Sequence, residues 1–303
     1  MNPPMTLHVY DPYQKKLVEE KIFGKKALKF LYQDNFIGKC IRLLSLGLIT
    51  RWPLTSYLYG AIQKGASSKN KIAPFIQNFE IDPTEFQKKV DGFTSFNDFF
   101  IRKLKKSARP IDPSPDTLVM PADGRYLVFE NFEARDTIFV KGKTFSLEKL
   151  IGKKELPWKG PSTVVVIRLC PTDYHRYHFP ADGVPMAPQA ISGALFSVSP
   201  LALKINTGYL TENKRVVTEF ASEKFGKVLL VEIGATHVGS IRQTFTPNKF
   251  VKKGDEKGFF EFGGSCLVLA LEKKQYQINP QLLEYSDHGI ETLGHLGQPL
   301  LKL

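Results

Sequence analysis

Ser265 lies in Phe262-Gly263-Gly264-Ser265-Cys266, a glycine hinge inside an apolar, β-prone segment. Two glycines ahead of a hydroxyl free the backbone to take unusual φ/ψ values and let other groups approach closely. Alone, the pattern reads as a β-bulge. Its chemical meaning comes from Asp123 in Pro121-Ala122-Asp123-Gly124, and from His175 and His178 in Tyr174-His175-Arg176-Tyr177-His178-Phe179-Pro180. A serine, an imidazole to take its proton and a carboxylate to hold the imidazole's tautomer make a charge relay. Their chain order is free, because the fold unites them.

Each group also has a structural reading. Asp123 suits a turn, and two histidines among tyrosines suit a satisfied polar cluster. His175-x-x-His178 could bind a metal, but no third ligand stands at a supporting spacing. The remaining histidines (His8, His237, His288 and His295) are scattered, so no metal is expected. A serine hydrolase acting on an external ester lacks the Gly-x-Ser-x-Gly elbow and its strand-turn-helix context at Ser265. A membrane-binding β-domain with structural Asp and His is the non-enzymatic alternative.

The elements that must position these groups fall into two regions, 1–110 and 111–303, giving an α+β fold class. Residues 12–80 read as helical: Phe36, Ile37, Cys40, Ile41, Leu44 and Leu48 recur at helical spacing. Lys64 to Lys71 is a polar linker. A helix is predicted from Ser95 to Lys106, with Ser95 and Asp98 at capping-box spacing. From about residue 117 short β-branched runs alternate with turns: Tyr126 to Phe129, Thr137 to Val140, Thr163 to Leu169, Arg215 to Phe220, Lys227 to Ile233, Val238 to Phe245 and Phe259 to Leu271. Short helices are expected at Ser146 to Ile151 and Pro200 to Thr207. Pro121-Ala122-Asp123-Gly124 recurs as Pro180-Ala181-Asp182-Gly183, a turn in which proline presets φ and glycine accepts φ > 0. The two copies point to an internal pseudo-duplication of the β-rich region.

The 303 residues carry a net charge of +12, and residues 1–72 hold 12 Lys/Arg against 4 Asp/Glu. A basic segment attracts nucleic acid or anionic lipid. Here Ile22, Phe23, Leu28, Phe30, Leu31 and Tyr32 sit among Lys21, Lys25, Lys26 and Lys29, which argues against nucleic acid and for helices in a lipid interface, the alternative being helices that cap the core with their lysines facing water. The apolar and charged fractions, 42% and 24%, are those of a globular chain. Three scattered cysteines (Cys40, Cys170, Cys266) give no disulfide framework and suit a reduced cytosolic setting. Neither a signal peptide nor an 18-residue apolar span is expected.

Together these motifs resemble the phosphatidylserine decarboxylase family of pyruvoyl-dependent proenzymes, in its bacterial form. The resemblance covers roughly residues 90–300. Phe96-Asn97-Asp98-Phe99-Phe100-Ile101-Arg102 with Arg109-Pro110-Ile111 looks like the family's opening segment. The Asp123 and His175/His178 motifs match its own. Leu195-Phe196-Ser197-Val198, Asn213-Lys214-Arg215-Val216, Gly234-Ala235-Thr236-His237-Val238-Gly239-Ser240-Ile241 and Gly289-Ile290-Glu291-Thr292-Leu293 follow in family order. The family often reads Leu-Gly-Ser-Thr at the serine, where this chain has Gly263-Gly264-Ser265-Cys266.

The resemblance implies two reactions. His178, oriented by Asp123, removes the Ser265 proton; the alkoxide attacks the Gly264 carbonyl. Elimination and hydrolysis then cut the Gly264–Ser265 bond and leave a pyruvoyl group at residue 265, the covalent cofactor. The pyruvoyl forms a Schiff base with phosphatidylserine, which loses CO₂ to yield phosphatidylethanolamine in phospholipid biosynthesis. His175 is expected to handle the substrate carboxylate or deliver a proton. Residues 1–264 and 265–303 are expected to stay together as a heterodimer, because the smaller product is too short to hold a core alone. The lipid substrate implies peripheral docking on the cytoplasmic side of the cell membrane, through the basic N-terminal helices.

Overall fold

The structure, a computed structural model, describes residues 7–20, 60–132, 146–199, 202–203, 208–235, 240–263 and 265–303. It is mixed α and β and mostly β from residue 117 onward. A ten-stranded sheet dominates. At its centre lie β4 (Gly124–Phe132), β5 (Ser162–Leu169), β13 (Ser265–Glu272), β10 (Gly226–Gly234) and β9 (Arg215–Ser222), neighbours in that order and antiparallel throughout.

The central strands read as unbroken apolar runs because both faces of the sheet are covered. Along β13, Leu267, Leu269 and Leu271 enter one core cluster, while Cys266, Val268 and Ala270 enter the other. That alternation is the strand's two-residue period. Short elements complete the layers: β7 (Val184–Pro185) and β8 (Gln189–Ile191) pair with β9, and β15 (Glu291–Gly294) pairs with β4.

Two three-stranded sheets flank the large one. In one, β12 (Glu256–Phe260) lies between β11 (Ile241–Gln243) and β6 (Arg176–His178). In the other, β16 (Pro299–Lys302) lies between β14 (Gln277–Ile278) and β3 (Thr117–Val119).

The repeated tetrapeptides occupy matching places. The Val119 amide donates to Pro180 O at 2.9 Å, and the His178 amide to Pro121 O at 2.8 Å. Met120 exchanges hydrogen bonds with Gly297 and Gln298, as Phe179 does with Gly254 and Asp255. Asp123 accepts from the Leu296 amide and Asp182 from the Lys253 amide. Gly254 and Gly297 have φ of 84° and 88°, and a Cβ on either would strike the Ile111 side chain; both turns require glycine.

Several expectations change in the folded chain. The helical reading of 12–80 fails over its first residues, where β1 (His8–Asp11) and β2 (Lys16–Glu19) form a hairpin. Asp11 Oδ1 accepts from the amides of Tyr13 and Gln14, so the aspartate makes a local turn. β1 then extends the large sheet beside β15. Residues 21–59, with the expected lipid-facing helices, lie outside the described residues, as do Thr137 to Val140 and most of Pro200 to Thr207. Helix α1 (Ile72–Phe79) follows a 3₁₀ turn over Ala66–Lys71.

The helix predicted from Ser95 to Lys106 is only α2 (Phe96–Phe100). Its cap is as expected, Ser95 Oγ accepting from the Asp98 amide. It stops early because the Ile101 carbonyl is taken by Arg176 Nε at 2.9 Å. Helix α3 (Leu147–Ile151) is capped by Ser146 and ended by Gly152, which supplies the left-handed residue. Two further helices are α4 (Tyr209–Glu212) and α5 (Pro280–Asp287), and residues 60–64 and 202–203 are also helical. The single strand expected over Phe259 to Leu271 is two, β12 and β13. Between them Gly263 has φ 137°, and the chain passes there from the small sheet to the large one.

Candidate active site

Ser265 is the first residue of β13 and is wholly buried, 0% exposed. It pairs with Leu169 of β5 on one side and Gly234 of β10 on the other. The nucleophile candidate is therefore fixed at the end of a central strand.

The imidazole beside it belongs to His175. Nδ1 lies 3.3 Å from Ser265 Oγ, and Nε2 lies 2.8 Å from Cys170 O. A carbonyl can only accept, so the ring proton sits on Nε2 and the Nδ1 lone pair faces the hydroxyl. Phe100 stacks on the ring at 3.9 Å and 24°. His175 is fully buried, and burial first, then the Arg102 charge, hold its pKa down to about 3. It is thus a neutral base near pH 7.

The charge relay expected of Asp123, His178 and Ser265 is not assembled. Asp123 faces Arg109, whose Nε lies 2.9 Å from both carboxylate oxygens and whose Nη2 lies 2.7 Å from Oδ2. The Leu296 amide also donates to Oδ1. Among the described residues no hydrogen bond joins His178 to Asp123 or Ser265. His178 stacks against Tyr174, and among the described residues its buried Nδ1 has no hydrogen-bond partner. Burial first lowers its pKa, to about 4. On extended chain, residues three apart face opposite sides, so His175 and His178 do not face Ser265 together.

The loop before His175 is held from several directions. Arg102 Nη2 donates to the carbonyls of Thr172 and Asp173 at 3.1 and 3.2 Å. Arg125 pairs with the Asp173 carboxylate, which also accepts from the Cys170 amide. Glu20 adds a buried carboxylate between Arg125 and Arg168. Burial alone would raise Glu20, but the two arginines hold its pKa down to about 2.

Reasoning from sequence did not assign roles to Arg109, Arg102, Phe100 or Asn97. They stand in the segment that resembles the family's opening, but that pattern gives no role to any one of them; each meets the site only through tertiary contact. Among the described residues no group of three or more His, Cys, Asp or Glu is arranged to hold a metal, and no helix is long and apolar enough to cross a membrane.

Comparison with known proteins fits this geometry. The family model for phosphatidylserine decarboxylase matches residues 96–288, a span that contains Asp123, both histidines and Ser265. A phosphatidylserine decarboxylase proenzyme of Chlamydia pneumoniae is 46% identical over 291 residues, covering 96% of this chain and 95% of the relative. Proenzymes of the same name from Clostridium botulinum (strain Alaska E43) and Fusobacterium nucleatum are each 42% identical, covering 97% and 92% of this chain and 98% and 92% of theirs. By a match of this length and identity, the chain belongs to the phosphatidylserine decarboxylase family of enzymes.

Proposed function

We propose that the chain is a self-processing proenzyme that decarboxylates phosphatidylserine to phosphatidylethanolamine, using a pyruvoyl group made from Ser265. The observation that carries this reading is the Ser265–His175 contact, a buried hydroxyl on a neutral imidazole next to a glycine with φ 137°. Such surroundings fit the group. The hydroxyl has a base, and the backbone ahead of it can take the conformation that an N-to-O acyl shift needs.

In the first reaction His175 Nδ1 takes the Ser265 proton and Oγ attacks the Gly264 carbonyl. The Gly264–Ser265 amide becomes an ester as the freed nitrogen is protonated. β-Elimination releases the Gly264 carboxylate, and hydrolysis of the remaining dehydroalanine releases ammonia. The pyruvoyl group so formed supplies an electron sink for decarboxylation. The Cys170 carbonyl keeps the His175 tautomer, and Phe100 keeps its ring plane.

A second reading retains His178 as the base and Asp123 as its orienter. It is favoured by His178 Nδ1, which is buried with no hydrogen-bond partner among the described residues. Under this reading His175 handles the substrate carboxylate or a proton. Comparing His175→Ala with His178→Ala separates the two readings: the variant that fails to self-cleave has lost the base.

The basic N-terminal region suits docking on an anionic bilayer surface, at the cytoplasmic side of the cell membrane and without a spanning segment. The matched contacts of Asp123 and Asp182 support an internal duplication of the β-rich region.

The direct test is the intact mass of purified protein, together with release of labelled CO₂ from phosphatidylserine. The expected products are residues 1–264 and a pyruvoyl-blocked chain 265–303. A single 34.2 kDa chain that decarboxylates the lipid would refute self-processing.

A further inference from the structure

The segment ahead of the scissile bond is held by α2. Asn97 Oδ1 accepts from the Phe262 amide at 3.0 Å, across 165 residues of chain. The contact is buried, and Asn97 is only 7% exposed. An N–H can only donate, so the asparagine's oxygen must face it. The Phe262 ring meets Phe96 at 5.1 Å and Phe100 at 4.9 Å, both edge-on. Phe262 thereby joins a phenylalanine cluster otherwise drawn from residues 72–104. One residue earlier, Glu261 pairs with Lys64 at 2.9 Å.

Downstream, Ser265 is locked between β5 and β10. Phe262 and Ser265 are thus two fixed points three residues apart, one held by α2 and one by the sheet. The same short helix touches both reaction partners: Phe100 stacks on His175, and Asn97 holds the chain that leads to Ser265.

We propose that Asn97 is a positioning residue for self-cleavage. Its side-chain oxygen pins the Phe262 amide and so restricts the backbone of the short segment that leads into Ser265. This rests on the self-processing reading above. The physical basis is restriction of a flexible segment before reaction, since two unpinned glycines sample far more backbone states than one reactive geometry needs.

The test compares Asn97→Leu with Asn97→Asp in the full chain. Leucine keeps the volume but cannot accept from an amide. Aspartate keeps the acceptor and suits the first turn of a helix. Conversion of the 303-residue chain to its two products is followed by intact mass after pulsed synthesis, and unfolding midpoints are measured alongside.

Asn97→Leu is expected to cleave about tenfold more slowly, the scale of one lost buried hydrogen bond. Asn97→Asp is expected to cleave within about threefold of the parent, because the bond is retained. Cleavage of Asn97→Leu at the parent rate overturns the proposal. So does equal slowing of both variants, which would assign the effect to packing. If Asn97→Leu does not fold, Asn97→Ser, too short to reach Phe262, replaces it with the same expected and overturning results. If the parent chain itself never cleaves, the self-processing reading fails; parent cleavage with a normal rate in Asn97→Leu removes only the role of Asn97.

Discussion

Arg109 grips Asp123 from two guanidinium nitrogens, with its Nε equidistant, at 2.9 Å, from both carboxylate oxygens. The carboxylate that the sequence offers to an imidazole is thus engaged by a guanidinium. Arg109 also reaches Glu85 through Nη1 at 2.9 Å, so it bridges the chain ahead of α2 to the Asp123 turn. With the Leu296 amide on the same carboxylate, Asp123 ties together chain segments on both sides of the scissile bond.

Removing Asp123 should therefore show first as lost stability. Asp123→Leu leaves a largely buried arginine with Glu85 as its remaining carboxylate partner, and breaking a buried pair costs about 3–5 kcal/mol. Arg109→Lys should also be clearly destabilising, because an ammonium cannot reproduce the two-nitrogen grip. Urea unfolding of uncleaved protein, in a Ser265→Ala background, measures both. Unchanged midpoints would remove Asp123 from the structural framework.

Ser265→Ala should remain a single chain with no decarboxylase activity, since it has neither the nucleophile nor the precursor of the pyruvoyl group. His175→Ala should slow cleavage by about 10²-fold or more, the usual contribution of a positioned general base. Mass spectrometry of freshly made protein reads both outcomes. Normal cleavage in His175→Ala, with arrest in His178→Ala, would give the base role to His178.

Acid should destabilise the fold through its buried histidines. Burial lowers His175 to about 3 and His178 to about 4, from the 6.5 of a free imidazole. The unfolded chain takes up protons below 6.5, whereas the native chain refuses them until lower pH. The stability that goes with neutral imidazoles is therefore complete above pH 6.5 and is lost as pH falls toward 4 and 3. Each histidine contributes a slope of about 1.4 kcal/mol per pH unit in that window. Denaturant midpoints of Ser265→Ala at about pH 7.5 and about pH 5 check this; a His175→Phe variant should show a shallower slope.

Cleavage should not release the C-terminal product. Residues 265–303 supply β13 at the centre of the large sheet, β15 between β1 and β4, and β16 beside β3. The buried Arg168–Glu291 ion pair, at 2.5 Å, also crosses from one product to the other. The two chains should co-elute on size exclusion in native buffer and separate only in denaturant. Free small fragment under native conditions would contradict the sheet order.

Lys257 and Glu232 form an ion pair 2.8 Å apart with both side chains 1% exposed. It links β12 of a small sheet to β10 of the large one. Lys257→Met or Glu232→Leu alone should cost about 3–5 kcal/mol, whereas the double variant should recover most of that. A double-mutant cycle reads the coupling; purely additive losses would show that the pair does not act as a unit.

The sequence by itself determined the long central strands of the β-rich region. β5, β9, β10 and β13 are β-branched or apolar runs bounded by turn residues, and local composition is enough to specify such runs. It also determined the cap at Ser95, whose signal lies within three residues, and it offered Asp123, His175, His178 and Ser265 as candidate groups.

Only the tertiary structure decided how that set is partnered. Which histidine faces Ser265 depends on strand direction and register, and the grip of Arg109 on Asp123 depends on how the segment before β3 crosses the site. The break between β12 and β13, and the hairpin at residues 8–19, were equally hidden. Each depends on a contact with chain far away in sequence: Asn97 with Phe262 in one case, β1 with β15 in the other. Local propensity carries no record of such contacts, because their free energy exists only once the distant segments meet.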